Sequence, residues 1–416
     1  MIKELIYRFK RPFHLVKTGL LRGLPAEIKY HFPARKLRII CITGTDGKTT
    51  SSTLLYHVLK KAGRKVALLT TVAAYIGDQS IGTGFHVTTP DPRQLQAFLA
   101  RMVSGGYQDL VLEATSHGIY QHRLWGIHPF LVGVTNISFE HLDYHVTYDA
   151  YLAAKAILIK DSQIAVLNAD DELSYNKLRK VLQSSSTQIT TYSQADSLPN
   201  TVREAIIRRF PQAYNQMNAR LVYAMSQKLG IDPASFVKAV AAFPSVVGRM
   251  QTVVKKKNIE VVVDFAHTPN AVRAVLTALR QRISAEKLNR LIAVFGCAGL
   301  RDWQKRPKMG RIGAELADIV IFTAEDPRTE DVWSIIRQMK QDLRPFHAKV
   351  LSICDRGEAI NFAVQQLAEP GDIVALLGKG HEQSMCYGKK EYPWSDAKVA
   401  QEAITIRGRA QQKQRK

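Results

Sequence analysis

A lysine and two threonines follow a glycine turn near the start of the chain, and their spacing is typical of a phosphate-binding loop. The turn reads GTDGKTT at residues 44–50, between an apolar run rich in β-branched residues (37–42) and a segment of helical periodicity. Glycines let backbone N–H groups approach phosphate oxygens, and a helix start adds the positive end of its dipole. We therefore predict that Lys48 reaches the β- and γ-phosphates of a nucleotide and that Thr49 binds Mg²⁺. The general pattern has more residues between its glycines, so an ordinary strand-to-helix turn is the alternative.

Two further side chains lie where a metal ion beside the nucleotide would be held. Glu113 ends a predicted strand at residues 109–113, and open α/β sheets bind ligands at that edge. His141 belongs to EHLDYH at residues 140–145, a stretch dense in metal-binding and proton-transfer groups. Both are candidate ligands of Mg²⁺, although Mg²⁺ prefers oxygen. From the residues alone, a hydrogen-bonded loop histidine is the favoured interpretation of His141.

One lysine occupies an unusual place. Lys155 lies among alanines on an otherwise apolar face of a predicted helix at residues 148–159. A lysine buried in such a place has a lowered pKa and a reactive neutral amine. The alternative is a lysine whose stem covers apolar surface while its charged end reaches solvent, and composition alone favours it.

Polar side chains also follow four predicted strands in the second half of the chain. The four loops read DFAHTP (264–269), GCAGLRD (296–302), EDPR (325–328) and GKGHE (378–382). The carboxyl ends of parallel strands meet at one edge of a sheet, so we expect these loops to lie together. A purely structural edge has no need of an arginine in two of them, which indicates a second binding site.

Composition limits the class of protein. A chain of 416 residues with 46% hydrophobic residues is globular, and two or three domains are expected. Its four cysteines are scattered without metal-ligand spacing, which indicates reduced thiols in a cytosol. The sequence contains no apolar run long enough to span a bilayer and no evident signal peptide.

The net charge of +22 is unevenly distributed. Residues 1–38 carry ten Lys or Arg and two Glu, and residues 407–416 carry five Lys or Arg and no acid. Ile2, Leu5, Ile6 and Phe9 lie on one helical face between basic residues, and Pro12 is expected to end that helix. This pattern favours a helix lying on an anionic membrane surface, with a helix packed on the body as the alternative.

Strands and helices alternate through both halves of the chain, which predicts two doubly wound α/β domains in tandem. The expected divisions are a basic N-terminal segment (1–36), a central nucleotide-binding domain (37–248), a C-terminal domain (249–405) and a basic tail (406–416). Residues 184–201 are polar and poorly periodic, and we interpret them as a surface excursion. Residues 243–250 are interpreted as a hinge.

Taken together, the motifs resemble the Mur ligases, the ATP-dependent amide-forming enzymes of peptidoglycan synthesis, and among them the tripeptide synthetases. The segments that carry the resemblance are GTDGKTT (44–50), TTPDP (88–92), EATSHGIYQHR (113–123), TNISFEHLDYH (135–145), AYLAAKAIL (150–158), NADDE (168–172), GRM (248–250), DFAHTP (264–269), FGCAGLRDWQKRP (295–307), EDPRTED (325–331) and GKGHE (378–382). Eleven segments in the family's order make a chance resemblance negligible. The resemblance implies a P-loop central domain, mostly parallel with helices on both faces, followed by a Rossmann-like C-terminal domain.

The resemblance also implies roles for particular residues. ATP would be bound by Gly44, Thr45, Asp46, Gly47, Lys48, Thr49, Thr50, Asn218, Arg249, Asp264 and His267. The metal ligands would be Thr49, Glu113, His141 and Lys155, with Lys155 carbamylated by CO₂, and the residues of the reaction itself would be Lys48, Glu113, His141 and Lys155. The UDP-muramoyl peptide would contact Thr88, Thr89, Thr115 and Arg123. The incoming amino acid would contact Arg301, Asp326, Arg328, Gly378 and Glu382.

The implied activity is amide-bond formation through an acyl phosphate, with ATP and Mg²⁺ as cofactors. The implied substrates are a UDP-muramoyl-dipeptide-like acceptor and an amino acid, with meso-diaminopimelate indicated by Arg328. We expect a cytoplasmic monomer with possible contact to a membrane surface and no nucleic-acid partner. Domain closure over ATP would exclude water from the acyl phosphate.

Two departures from the family leave alternatives open. Only about 36 residues precede the first strand, so we expect the family's N-terminal UDP-binding domain to be lacking, and a lipid-linked or partner-presented acceptor is a second possibility. The family's Asp-Asn-Pro-Arg motif reads Glu325-Asp326-Pro327-Arg328, and the added charge of Asp326 would favour a distal amine such as that of lysine. A folylpolyglutamate- or cyanophycin-type ligase, or a nucleotide-binding module without activity, are the other classes.

Overall fold

The computed structural model describes residues 2–72, 74–77, 79–81, 89–256, 258–344 and 346–414. The chain divides into two compact units, Met1–Pro244 and Ser245–Lys416. Each unit is built on its own sheet. Among the described residues, no helix is long and apolar enough to cross a membrane.

The first unit contains an eight-stranded sheet and eleven α-helices within the described residues. Its strands are β1 Arg38–Thr43, β2 Val66–Leu69, β3 Ala74–Ile76, β4 Gln79–Ile81, β5 Asp109–Glu113, β6 Leu131–Val134, β7 Ile164–Asn168 and β8 Gln188–Tyr192. Its helices are α1 Ile2–His14, α2 Leu24–Lys29, α3 Lys48–Lys61, α4 Pro92–Ser104, α5 Ser116–Tyr120, α6 Leu142–His145, α7 Tyr148–Lys160, α8 Glu172–Leu182, α9 Asn200–Arg209, α10 Ala213–Lys228 and α11 Pro233–Ala241.

The strand order β4-β3-β2-β5-β1-β6-β7-β8 puts β1 in the middle of the sheet. In this sheet order, every neighbouring pair between β2 and β8 is parallel. At the other edge, β3 pairs antiparallel with both β2 and β4. Successive residues of β1 from Ile39 to Ile42 are all buried, because helices cover both faces of the sheet. The loops that follow β1, β5 and β6 therefore leave the sheet side by side.

The N-terminal segment forms helices that pack on this unit. Helix α1 contains Pro12 and continues as a π-helical segment, Leu15–Gly23, so the expectation that Pro12 ends the helix is wrong. Proline lacks an N–H and crowds the preceding turn, and here the chain continues into the wider π-helical spacing rather than stopping. Gly19 and Gly23 face the ring of Trp125, where an added Cβ would lie within 2.6 Å of indole carbons. The π-helical segment therefore packs on the body of the unit, as the alternative to membrane contact expects for the N-terminal segment.

The second unit contains a six-stranded sheet of order β13-β12-β11-β14-β10-β9 and a separate two-stranded hairpin. Its strands are β9 Gln251–Lys256, β10 Ile259–Asp264, β11 Leu291–Phe295, β12 Ile319–Phe322, β13 Lys349–Ser352, β14 Ile373–Leu377, β15 Ser384–Tyr387 and β16 Lys390–Pro393. Its helices are α12 Pro269–Glu286, α13 Lys305–Leu316, α14 Val332–Met339, α15 Arg356–Asn361 with a π-helical continuation Phe362–Leu367, and α16 Asp396–Gln414.

The predicted fold class, two α/β units with mostly parallel sheets, is confirmed. Two edge strands were not predicted: β8 lies inside the supposed surface excursion, and β9 follows the supposed hinge and pairs antiparallel with β10. Both have mainly solvent-accessible residues along their length, so neither carries the apolar run that identifies a buried strand.

A buried ion pair ties the last helix to the second sheet. Arg356 and Asp396 are both fully buried, and the guanidinium donates to the two carboxylate oxygens at 2.8 and 2.6 Å. Arg356 also donates to the carbonyl oxygens of Ala324 and Leu377. The pair thereby joins the start of α15, two strand ends and α16.

We predict that Arg356→Met destabilises the second unit by about 3–5 kcal/mol, because the Asp396 carboxylate is left buried without its partner. Denaturant unfolding of the variant measures this loss. Arg337→Met is the matched control, since Arg337 and Asp331 form an exposed pair at 3.8 Å that contributes less than about 1 kcal/mol. Equal losses in the two variants would contradict the role given to the buried pair.

Candidate functional site

The loop between β1 and α3 depends on two glycines. Gly44 and Gly47 have positive φ values of 147° and 81°. A Cβ on Gly44 would lie 1.8 Å from the Thr135 hydroxyl, and one on Gly47 would lie 2.2 Å from the Asn218 amide oxygen. Only glycine therefore fits at either position. The close approach also brings Asn218, from helix α10, to the phosphate-binding loop, near the other residues of the first unit to which the resemblance assigns ATP.

The loop is held in shape by hydrogen bonds to neighbouring strand ends. The Asp46 N–H donates to the Asn136 side chain at 3.0 Å, and the Thr45 and Tyr151 hydroxyls are 3.1 Å apart. Lys48 Nζ donates to the Thr45 carbonyl oxygen at 2.6 Å, folding its side chain back over the loop. Thr50 follows in the first turn of α3. The loop thus places a lysine and a helix start around one concave backbone surface, which suits phosphate.

Glu113 and Thr49 meet at the end of β5. The Thr49 hydroxyl donates to Glu113 Oε2 at 2.9 Å, and the N–H and hydroxyl of Thr71 each lie 3.2 Å from an oxygen of the same carboxylate. In the described part of the chain, no group of three or more His, Cys, Asp or Glu side chains is arranged to hold a metal ion. A carboxylate beside a threonine hydroxyl is nevertheless the partial oxygen set that Mg²⁺ uses together with phosphates and water.

Lys155 is 1% exposed, so the interpretation of a solvent-reaching lysine is wrong. Its Nζ donates to the Gly44 carbonyl oxygen at 2.7 Å and lies 4.6 Å from the centre of the Tyr151 ring. Burial, and then the nearby charge of Lys48, lower the pKa of Lys155 well below its ordinary value. This lowered pKa favours the uncharged amine, which lies directly against the phosphate-binding loop.

His141 begins helix α6 in a left-handed conformation, with φ of 56°. Its Nε2 lies 3.7 Å from the Glu140 carboxylate, and its ring lies 6.2 Å from the Tyr151 ring. Its side chain is 39% exposed. His141 therefore faces the neighbourhood of Lys155 while remaining accessible, as a group that meets a ligand must be.

His145, in the same EHLDYH stretch, is fully buried beside this region and is hydrogen-bonded, as the interpretation of a structural histidine predicts. Its Nδ1 lies 2.8 Å from the Tyr7 hydroxyl and its Nε2 lies 3.0 Å from the Ser116 hydroxyl. Burial, and then the nearby charge of His141, lower the pKa of His145 to about 3. A neutral His145 thus joins the N-terminal helix to the strand-end loops.

The residues assigned to the acceptor peptide lie together at the start of α5. The Thr89 and Thr115 hydroxyls are 3.1 Å apart, and Arg123 donates to the Thr89 carbonyl oxygen at 3.0 Å. Thr115 also caps α5 by accepting from the Gly118 N–H. Thr88 lies outside the described residues. Thr115 is two residues from Glu113, so the residues assigned to the acceptor adjoin the end of β5.

In the second unit, the predicted nucleotide contacts surround Phe265. Asp264 accepts from the N–H groups of Met250 and Ala266 at 2.7 Å each, and burial raises the pKa of its carboxyl. The Arg249 guanidinium lies 4.6 Å from the centre of the Phe265 ring, and His267 Nδ1 lies 2.9 Å from the Phe265 carbonyl oxygen. The structure therefore brings Arg249, Asp264 and His267 together.

The predicted amino-acid pocket contains a lysine that the sequence reasoning passed over. Lys379 is 1% exposed, and its Nζ lies 2.7 Å from Asp326 Oδ1 and 2.5 Å from Glu382 Oε2. Asp326 Oδ1 also accepts from the Cys386 N–H. The added negative charge of Asp326 is thus paired within the protein.

Arg328 and the glycine turns complete this pocket. Arg328 donates to the carbonyl oxygens of Gly299 and Asp326 at 2.9 and 3.2 Å. Gly378 has a φ of 104° and lies against the Glu325 carboxylate, whose pKa burial raises. Arg301, in the turn after β11, is exposed.

Comparison with known proteins agrees with this geometry. The family model of the Mur ligase middle domain matches residues 42–228, and that of the Mur ligase glutamate ligase domain matches residues 248–380. The chain belongs to the Mur ligase family. Mur ligases are ATP-dependent enzymes that form C–N bonds, so the predicted family and enzyme class are confirmed.

Relatives with one name recur among the similar sequences. UDP-N-acetylmuramoyl-L-alanyl-D-glutamate–2,6-diaminopimelate ligase of Clostridium botulinum is 34% identical over 392 residues, which is 90% of this chain and 79% of that protein. The ligase of the same name from Synechocystis is 36% identical over 415 residues, covering 92% of this chain and 79% of that protein.

Two solved structures show how far this fold extends. A structure of a ligase with the same name aligns with a TM-score of 0.58 at 30% identity, over 93% of this chain and 83% of its own. A bifunctional folylpolyglutamate/dihydrofolate synthase from Yersinia pestis, complexed with AMPPNP and Mn, aligns at 0.67 over 94% of both chains. At 17% identity the second likeness concerns the fold alone.

Proposed function

We propose that this enzyme adds the diamino acid meso-diaminopimelate to a UDP-N-acetylmuramoyl-dipeptide in the cytoplasm, where ATP and nucleotide-linked substrates occur. The observation that carries the choice of amino acid is the ion pair between Asp326 and Lys379. The relatives' names support the acceptor. That the enzyme acts as a monomer stays a prediction.

The reaction follows from the chemistry of the two substrates. A carboxylate oxygen of the acceptor peptide attacks the γ-phosphorus of ATP, and the bond to the β–γ bridging oxygen breaks to release ADP. The amino nitrogen of the diamino acid then attacks the acyl carbon, the bond to phosphate breaks, and the nitrogen loses a proton. We propose that Lys48 and the backbone N–H groups of residues 44–50 stabilise the charge on the transferred phosphoryl group. Asn218, Arg249, Asp264 and His267 are proposed as further nucleotide contacts.

The first unit suits a divalent cation of the hard, oxygen-binding kind. The Thr49 hydroxyl and the buried Glu113 carboxylate lie 2.9 Å apart beside the phosphate-binding loop. We propose that Mg²⁺ is held there by Thr49 and Glu113, with His141 and a carbamylated Lys155 as further ligands. When bound, the ion would offset charge on the phosphates during transfer. The protein supplies only part of a coordination shell, as expected when substrate phosphates and water supply the rest.

Lys155 has the properties that carbamylation requires. A neutral amine attacks the carbon of CO₂, an N–C bond forms, and one proton leaves to give the anionic carbamate. The lowered pKa of Lys155 supplies the neutral amine, and its 2.7 Å hydrogen bond to Gly44 places it beside the loop. The resulting carbamate would give the site a second carboxylate ligand beside Glu113, which an unmodified lysine cannot supply.

We predict that Lys155→Ala lowers kcat by about 10²–10³-fold, as is typical for loss of one buried group that stabilises transferred charge. Small carboxylic acids such as acetate are expected to restore part of the rate, because they can occupy the position of the carbamate. Phosphate release from ATP measures both effects. Lys160→Ala, at an exposed position of the same helix, should leave the rate unchanged. A Lys155→Ala enzyme of normal rate would contradict the assignment.

The charges of the amino-acid pocket suit a zwitterionic side chain. Asp326 and Glu382 are both paired with Lys379, and Arg328 is bound to carbonyl oxygens with its closest carboxylate contact, Asp326 Oδ2, at 4.0 Å. The four groups carry two positive and two negative charges. A balanced pocket with an accessible guanidinium favours the distal carboxylate and ammonium of diaminopimelate over the lone ammonium of lysine.

We predict that the enzyme uses meso-diaminopimelate in preference to L-lysine and that Asp326→Asn keeps that preference. Lys379→Met should instead lower the ratio of kcat/KM for diaminopimelate to that for lysine by about tenfold, since it leaves two carboxylates unpaired. Lys389→Met, an exposed change of the same kind, is the control. A wild-type preference for lysine that Asp326→Asn reverses would show that Asp326 selects the amine and would overturn the proposed amino acid.

The outer face of the N-terminal helices favours contact with a membrane surface. Phe9, Phe13, Val16 and Leu20 are spaced as one stripe and are 69, 59, 51 and 42% exposed. The exposed cations Lys10 and Lys17 flank this stripe. An apolar stripe bordered by cations is typical of a helix that lies on an anionic bilayer. We propose that the enzyme associates with the inner membrane surface through this stripe.

We predict that the protein sediments with vesicles containing anionic lipid and less with neutral vesicles. Phe9→Ser combined with Phe13→Ser should weaken binding by at least about tenfold, because two aromatic side chains no longer leave water. Leu173→Ser with Ile207→Ser, two apolar residues exposed elsewhere on the unit, is the control. Wild-type protein that stays in the supernatant, or that self-associates through the stripe, would contradict membrane contact.

A further inference from the structure

The N-terminal helices also bring cations to one end of the proposed acceptor site. Lys10 Nζ lies 5.4 Å from the centre of the Tyr144 ring, and His14 Nε2 lies 3.5 Å from the Tyr144 hydroxyl. Arg123, the neighbour of Thr89, acts on both His14 and Tyr144 electrostatically. We call the following residues the basic cluster: Lys10, Arg11, His14, Lys17, His122 and Arg123.

Buried contacts hold the cluster in place. The Tyr7 ring stacks on Tyr120 with centroids 4.5 Å apart, its hydroxyl meets the buried His145, and the Tyr120 hydroxyl donates to the Tyr7 carbonyl oxygen. Farther along the segment, Trp125 Nε1 donates to the buried Glu27 carboxylate at 3.0 Å. The cations of α1 are therefore positioned by packed aromatic groups and are not carried on a loose tail.

The charges of the cluster are not compensated by the protein. Among the side chains that the structure describes, no carboxylate forms an ion pair with Lys10, Arg11, Lys17 or Arg123. Asp91, the acid that acts on Arg123, is itself paired with Arg22 and Arg93 at 3.0 Å each.

The lowered pKa values of the two histidines in the cluster are consistent with this excess of positive charge. Burial, then Arg123, Lys10 and Lys17, lower the pKa of His14. Burial, then Arg11 and His14, lower the pKa of His122. Cations held this close repel one another, so an anion placed among them would be bound with favourable energy.

The order of groups along the surface indicates which part of the acceptor reaches the cluster. The peptide carboxylate must lie at the phosphate-binding loop, beside Glu113. Thr115 caps α5, and Arg123 lies in the turn after that helix and reaches the Thr89 carbonyl oxygen. The basic cluster continues from Arg123 to the N-terminal helices. A substrate laid along these residues from its reacting carboxylate would thus meet the cluster with its opposite end.

We propose that the basic cluster binds the diphosphate that joins the muramoyl sugar of the acceptor to its carrier. The inference rests on the proposed function. A diphosphate offers several anionic oxygens to lysine and arginine side chains, which bind phosphate strongly. The same chemistry is found in a nucleotide-linked acceptor and in a polyprenyl-linked acceptor. The N-terminal segment therefore serves as part of the substrate site.

The test compares three acceptors: UDP-muramoyl-dipeptide, polyprenyl-diphosphate-linked muramoyl-dipeptide in detergent, and muramoyl-dipeptide without phosphate. The variant combines Lys10→Gln, Arg11→Gln and Lys17→Gln. The control combines Arg179→Gln, Lys180→Gln and Lys228→Gln, which remove the same charge from exposed positions of the same unit. We expect the variant to raise KM for a diphosphate-linked acceptor by at least about tenfold, to leave KM for the phosphate-free acceptor unchanged, and to keep kcat. The acceptor that the wild-type enzyme uses at lower KM identifies the carrier.

Equal KM values in variant and wild type, or an equal rise for the phosphate-free acceptor, would overturn the proposal. Equilibrium binding of the three acceptors by calorimetry, with ADP saturating the nucleotide site, gives a readout that needs no turnover. If the wild-type protein binds a diphosphate acceptor through the cluster and yet forms no amide, the proposed function fails and the proposed site stands. If the wild-type protein forms the amide and the variant binds the diphosphate acceptor as the wild type does, the proposed function stands and the proposed site fails. Thermal unfolding of both triple variants separates loss of binding from loss of structure.

Discussion

The cost of burying Lys155 governs the arrangement of the first unit. Burial in a site that is 1% exposed disfavours the ammonium form and lowers the pKa of Lys155, and the amine donates to the Gly44 carbonyl oxygen. That contact requires the loop to pass close to α7. The loop passes there because Gly44 and Gly47 accept backbone conformations and approaches that a Cβ would prevent. Phosphate binding and the reactivity of Lys155 thus both depend on the backbone conformation of this loop.

Sheet topology supplies the remaining groups. Strands β5 and β6 lie on either side of β1, so the loops after all three open at one edge. Glu113 ends β5, and Asn136, just beyond β6, binds the loop after β1. The N-terminal helices then cover the next part of the surface through Tyr7. The segment carries an exposed apolar stripe with cations beside it, and one of these cations, Lys10, also contacts the Tyr144 ring, which is why one short stretch supports two separate proposals.

The sequence predicted much of this and missed the rest for identifiable reasons. Buried parallel strands such as β1 and β10 carry apolar runs, and the loops that follow them carry the motif residues, so both were visible. The burial of Lys155 was not, because an alanine-rich face is also compatible with a lysine that reaches solvent. Lys379 lay inside a recognised motif, but its pairing with Asp326 links residues 53 positions apart, which no local pattern reports. The role of Tyr7 depends on its contact with His145, 138 positions away, which no local pattern reports either.

The neutral, buried amine of Lys155 is the claim on which the proposed chemistry depends, and its uptake of CO₂ tests that claim most directly. Wild-type protein would be equilibrated with ¹³C-labelled bicarbonate and examined by ¹³C nuclear magnetic resonance, with Lys155→Met as the comparison. The account predicts a carbamate resonance in the wild-type protein that is missing from the variant and persists at neutral pH. A wild-type spectrum without that resonance, or one that the variant shares, would contradict it.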